Sequence, residues 1–127
     1  MKASEQLELA AKYREGNGVP QDLKEAVRLT KEVAEQGHPG AQQDLGQYYQ
    51  KGYGVPKSME EAIKWWTKAA EQGNAVSQFK LGGCYVMGEG VPIDLKEGKK
   101  WLTMAADQGF EEAKKVLSML EKKQTPL

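Results

Sequence analysis

One five-residue punctuation mark constrains this chain more than any other feature, because it recurs at a fixed step. Gly16-Asn17-Gly18-Val19-Pro20, Gly52-Tyr53-Gly54-Val55-Pro56 and Gly88-Glu89-Gly90-Val91-Pro92 begin 36 residues apart (16, 52, 88). A second marker keeps the same step: Glu35-Gln36-Gly37, Glu71-Gln72-Gly73 and Asp107-Gln108-Gly109. Two markers in one period define a tandem repeat, and periods of about 20–50 residues signal solenoids or arrays.

Within each period the markers separate two helical patterns. In the middle unit Ala41, Leu45, Tyr48 and Tyr49 recur at steps of three and four, one face of a helix. Gly52 and Gly54 end it, since glycine tolerates the left-handed backbone of helix termini. Pro56 keeps it from resuming. A second helix starts at Ser58, where Ser58 and Glu61 have capping-box spacing. Asp22 with Glu25 and Asp94 with Glu97 repeat that spacing. It predicts that each residue's side chain satisfies a backbone amide of the other. Ala62, Trp65, Trp66, Ala69 and Ala70 form the apolar face of this second helix, and its small residues let helices approach closely.

The neighbouring units follow by the same step. The pattern predicts helices near 3–15, 22–36, 39–51, 58–72, 75–87, 94–108 and 110–123, grouped as units of about 3–36, 39–72 and 75–108 plus a cap helix of about 110–123. In the last helix Ala113 and Leu117 keep phase, but Glu121 replaces Tyr49 and Gln124 replaces Gly52. Lys114, Lys115, Lys122 and Lys123 give it the wet face a terminal cap requires. The expected fold is all-α: a solenoid of three helix pairs and a capping helix in one repeat domain over 1–127.

The run from Ala34 to Pro56 reads A-E-Q-G-x-x-x-A-Q-x-x-L-G-x-x-Y-x-x-G-x-G-V-P, and Trp65-Trp66-x-Lys68-Ala69-Ala70-Glu71-Gln72-Gly73 continues it. This unit resembles the Sel-one-like repeat family, relatives of the tetratricopeptide repeat, over nearly the whole chain. The resemblance implies antiparallel helix pairs in a right-handed superhelix, with first helices lining the concave side. It also implies an adaptor or scaffold that binds other proteins, in settings that include bacterial regulatory and immunity proteins. The family's branch with a cysteine pair in each repeat, linked to penicillin binding, does not fit a chain whose only cysteine is Cys84.

Composition narrows the function classes. Eighteen basic and eighteen acidic side chains balance, so no net field draws the chain to nucleic acid or an anionic membrane. No apolar run suits a signal peptide or a membrane span, so the expectation is a cytoplasmic protein, although a processed secreted form would look the same. The glycine pairs lack the preceding strand and third glycine of a dinucleotide fingerprint. His38, the single histidine, reads as a solvated loop residue without the partners of a zinc site or a triad. Cys84 has no cation or histidine beside it in sequence and reads as a structural thiol. Glu60-Glu61 and Glu111-Glu112 fall in first turns of helices, where negative charge suits the helix dipole. Trp65, Trp66 and Trp101 read mainly as core. No catalytic residue, metal or cofactor is expected.

Variable positions on the first helices are the candidates for binding. Aligned on the tetratricopeptide signature, they are Ser4, Leu7, Ala11, Arg14 and Glu15 in the first unit. In the second they are Gly40, Gln43, Gln47, Gln50 and Lys51, and in the third Val76, Phe79, Gly83, Val86 and Met87. In the cap helix they are Glu112, Lys115, Met119, Lys122 and Lys123. Phe79, Gly83, Val86 and Met87 form one apolar stripe. Exposed, it would be an interaction site; covered by the cap helix, it would be core. The leading expectation is a monomeric, non-catalytic module that holds a peptide, loop or helix of a partner protein in this groove. Its contact residues would be Gln43, Gln47, Gln50, Lys51, Val76, Phe79, Gly83, Val86, Met87, Lys115, Met119 and Lys122. The alternatives are a weak hydrolase of cell-wall-related amides and a self-associating structural fragment.

Overall fold

The computed structural model describes residues 1–124, with side chains through Lys122; the expectations on the Lys123 and Gln124 side chains lie outside the described residues. Among the described residues seven helices follow one another: α1 (Ala3–Glu15), α2 (Leu23–Glu35), α3 (Pro39–Lys51), α4 (Met59–Glu71), α5 (Ala75–Met87), α6 (Leu95–Asp107) and α7 (Glu111–Gln124). Among the described residues there is no strand. Each helix packs chiefly on its neighbours in sequence, as expected of a solenoid of helix pairs. The sequence-derived bounds fall within one residue of these.

The two glycines of the second and third markers do different jobs, whereas a Cβ on Gly18 of the first would meet nothing within 4 Å. The first glycine of each marker ends a first helix: Gly16, Gly52 and Gly88 have φ of 71°, 71° and 72°. The second allows a close approach. A Cβ on Gly54 would strike the Leu23 carbonyl and Val27 of α2, and one on Gly90 would strike Ile63 and Met59 of α4. The loop tip of each later unit thus rests on the second helix of the unit before.

The capping-box expectation needs correction in one arm. Asp22 Oδ1, Ser58 Oγ and Asp94 Oδ1 accept from the amides of Glu25, Glu61 and Glu97 at 3.1, 3.1 and 3.0 Å. The return bond does not come from the glutamates. The cap amides of Asp22, Ser58 and Asp94 instead donate to the carbonyls of Tyr13, Tyr49 and Tyr85, at 2.8, 2.9 and 2.9 Å. The donor is satisfied by the preceding helix, which fixes the angle of the helix pair while the glutamate stays available to solvent or to a cation.

Core clusters sit at the successive junctions. Trp65 joins Val33, Leu45 and Tyr48 in the first; Trp66, Leu81, Cys84 and Trp101 share the second; Leu102, Ala105 and Ala113 anchor the third. The tryptophans are core, as their phase indicates. A polar ladder runs beside them. Gln42 and Gln78 are buried, and each donates from Nε2 to a carbonyl at the end of the preceding second helix, Ala34 and Ala70, at 3.1 Å. Their side-chain oxygens accept from Gln72 and Gln108, both at 2.9 Å. These helix-terminal carbonyls, which also accept from the amides of Gly37 and Gly73 at 3.0 Å, thereby gain a second donor.

Candidate functional site

Three clefts line the face formed by the first helices, and they are built from equivalent positions. The cleft between α1 and α3, about 320 Å³, is lined by Arg14, Asp44, Gln47, Tyr48 and Lys51. The cleft between α3 and α5, about 200 Å³, takes Gln50, Lys80, Gly83, Cys84 and Met87 at the corresponding phases, with Trp66, Phe79 and Glu89. The cleft between α5 and α7, about 260 Å³, takes Val86, Val116, Met119 and Leu120, with Phe79, Gly83, Met87 and Leu102. Stepping 36 residues turns Arg14 into Gln50 and Val86, and Asp44 into Lys80 and Val116. The same step turns Gln47 into Gly83 and Met119. One backbone geometry therefore presents a charged, a mixed and an apolar cleft in succession.

The first cleft is a polar cluster. Arg14 Nη1 donates to the Tyr48 hydroxyl at 3.3 Å, and this bond holds the guanidinium above its ordinary pKa. Burial pushes the Asp44 carboxyl up, with Arg14 opposing the shift. In the second cleft Lys80 Nζ lies 5.6 Å from the centroid of the Trp66 ring. The Cys84 thiol is buried, and burial pushes it up to about 11, so it is a protonated structural thiol at neutral pH. In the third, the Phe79 ring stacks on Phe110 with centroids 5.0 Å apart.

Most of the residues named from sequence meet here. Gln47 and Lys51 line the first cleft, Gln50 the second, Val86 and Met119 the third, and Phe79, Gly83 and Met87 the last two. Gln43, Val76, Lys115 and Lys122 line none of the three. Gln43 contributes its carbonyl, which accepts from Trp66 Nε1 at 3.3 Å. Lys115 and Lys122 are exposed on α7. The cap helix covers part of the apolar stripe: Phe79 and Val86 are half-buried against the third cluster, while Met87 stays 67% exposed. Sequence reading missed Asp44, Lys80 and Val116. Their signal was available, because Asp44 lies three and seven residues before Gln47 and Lys51 on the same helical stripe. His38 is exposed at the start of α3, and the described residues hold no group of three or more metal-ligating side chains.

Residues 6–38, 39–74 and 75–110 each match the Sel1 repeat. The chain belongs to the Sel1 repeat family. Sel1 repeat proteins generally mediate protein–protein interactions. A Sel1 repeat protein from Oxalobacter formigenes is 38% identical with a TM-score of 0.83, over 88% of this chain and 46% of that one. The protein c5321, a protective antigen of uropathogenic Escherichia coli with the same fold, is 40% identical with a TM-score of 0.81, over 84% of this chain and 23% of its own. The chain thus spans less than half the length of either. Cysteine rich protein B of Helicobacter pylori, 20% identical with a TM-score of 0.75 over 90% and 88%, shares the fold. No curated protein matches the chain. No helix among the described residues is long and apolar enough to cross a membrane.

Proposed function

We propose that this Sel1 repeat protein is a non-catalytic adaptor whose first-helix face holds a peptide, loop or helix of a partner protein. The observation that carries the reading is the phase relation among the three clefts. The scaffold positions repeat from unit to unit, while the cleft positions change from Arg-Asp-Gln to Gln-Lys-Gly to Val-Val-Met. A packing role would favour the same residue type at each step; a linear ligand that reads three different subsites would not. The sites act as a monomer's continuous surface, with polar groups fixing the register and the apolar end supplying burial.

Photo-crosslinking tests this. A benzophenone amino acid at Gln47, Gln50 or Met87 is expected to give the same protein adduct in extracts of the source cell. The same probe at Lys24 or Lys96, exposed on second helices, is expected to give none. Adducts confined to the second-helix positions would overturn the assignment of the face.

A further inference from the structure

Gly83 stands inside α5 with no packing reason to be glycine. It is not among the glycines with positive φ. A Cβ placed on it would meet nothing within 4 Å, whereas one on its neighbour Gly82 would run into Leu102. A glycine inside a helix destabilises it relative to alanine. The space it leaves joins the second and third clefts, both of which Phe79, Gly83 and Met87 line.

Among the described residues the third cleft is lined by apolar side chains and Gly83. Its volume of about 260 Å³ falls below the roughly 300–1,000 Å³ of clefts that hold whole small ligands. It suits an inserted side chain. Met87 and Met119 flank it, 67% and 60% exposed, and methionine adapts to the shape of what it covers. The rim is basic. Lys115 and Lys122 share a helical stripe with Met119, and neither has an acidic partner among the described residues. Lys80 adds a third cation in the second cleft. Against these stand Glu89, in the second cleft, and Glu112, one turn before Lys115.

We infer that the trough joined at Gly83 binds an acidic amphipathic helix of another protein, with one bulky apolar side chain seated beside Gly83 and carboxylates facing Lys115 and Lys122. The inference rests on the adaptor reading and deepens it by naming the partner's chemistry. The clefts lie about one helix–helix spacing apart, roughly 8–10 Å. Two turns of a helix advance by about 10 Å, so anchors at i and i+7 reach both.

The test uses three labelled synthetic peptides of about 15 residues, long enough to support helix. One has leucines at i, i+3 and i+7 flanked by glutamates; the second replaces the glutamates by lysines; the third places a proline mid-sequence. Fluorescence anisotropy is read against the full chain. The acidic peptide is expected to bind about tenfold more tightly than the lysine peptide at low salt, a gap that narrows as salt rises. The proline peptide is expected to bind weakly. Gly83→Ala should raise the thermal midpoint while weakening the acidic peptide roughly tenfold, and Met119→Asp should abolish binding at an unchanged midpoint. Equal affinity for the two charges, or no loss on Gly83→Ala and Met119→Asp, overturns the inference. So does concentration-dependent self-association abolished by Met119→Asp, which would make the occupant a second copy. If none of the peptides binds while the crosslinks at Gln47 and Gln50 persist, the acidic helix falls and the adaptor reading stands.

Discussion

The backbone of Gly46 lies so close to the indole of Trp66 that a methyl group at position 46 would overlap the ring. The contact brings Trp66 Nε1 to the Gln43 carbonyl. The same register sets Gly82 against Leu102, and the 36-residue step gives Ala10 and the smaller Thr30, both buried, as the equivalent pair in the first unit. Small residues on first helices therefore track the bulk of their partners on second helices. Alanine would favour helix by about 1 kcal/mol over glycine. Overpacking against a buried indole usually costs more, about 1–3 kcal/mol. Gly46→Ala is thus expected to lower stability in urea unfolding at an unchanged m-value. A gain in stability would show that Trp66 moves aside freely.

The glutamine ladder gives a second expectation. Gln78 donates to the Ala70 carbonyl and accepts from Gln108. Truncating it removes both bonds: the Ala70 carbonyl keeps only the turn amide of Gly73, and Gln108 keeps only its bond to the Gly73 carbonyl. Gln78→Ala should cost about 1–3 kcal/mol, and it should act across the junction of two units. Hydrogen exchange is expected to quicken at the ends of both α4 and α6. Protection lost at only one end would mean the two bonds are independent.

Much of this architecture was legible in the sequence, and the physical reason is redundancy. A helix end marked by Gly52 alone is weak evidence; the same mark at Gly16 and Gly88 cannot be chance. Positions that look alike from unit to unit gave helices, caps and core. Relations across units were harder to read. The role of Gly54 depends on α2, which local pattern does not place in contact with it. Gln42 and Gln78 stood in phase as plainly as the tyrosines, yet a polar residue in a helix looks solvent-facing until the carbonyls it caps are known. At the candidate site the variable positions were found, but Asp44, Lys80 and Val116 were passed over. The tetratricopeptide signature does not include their phase.

Asp44 makes a pH-dependent prediction. Burial raises its carboxyl above the ordinary value of about 3.9. An acid with a raised folded pKa holds its proton more tightly in the folded chain than in the unfolded one. Through the window from the ordinary value up to the raised one the folded state binds more protons, so stability falls as pH rises, and the deficit persists above it. Asp44→Asn removes that deficit. It is expected to raise the thermal midpoint at about pH 7 and to add little at about pH 3, where the carboxyl is protonated in both states. Equal gains at both pH values would assign the effect to something other than the charge.

Phe79 separates core from site within one side chain. One face of its ring stacks on Phe110 at 13° between planes, and it packs against the third core cluster. The ring also lines both clefts that meet at Gly83. A fully buried Phe→Ala change costs about 3–5 kcal/mol. Phe79 is half-buried, so Phe79→Ala should cost less, about 2–3 kcal/mol, part of it the lost ring stack. Phe79→Leu restores most of the volume and is expected to recover the larger share of stability. Leucine lacks the flat face that an inserted side chain would lie against, so its affinity for the acidic amphipathic peptide should stay reduced. Denaturant unfolding and peptide anisotropy on both variants divide the two roles. If Phe79→Ala costs under about 0.5 kcal/mol, in the range of surface substitutions, the stack contributes nothing to the core. If Phe79→Leu restores stability and affinity together, the ring serves the clefts only by shaping the core beneath them.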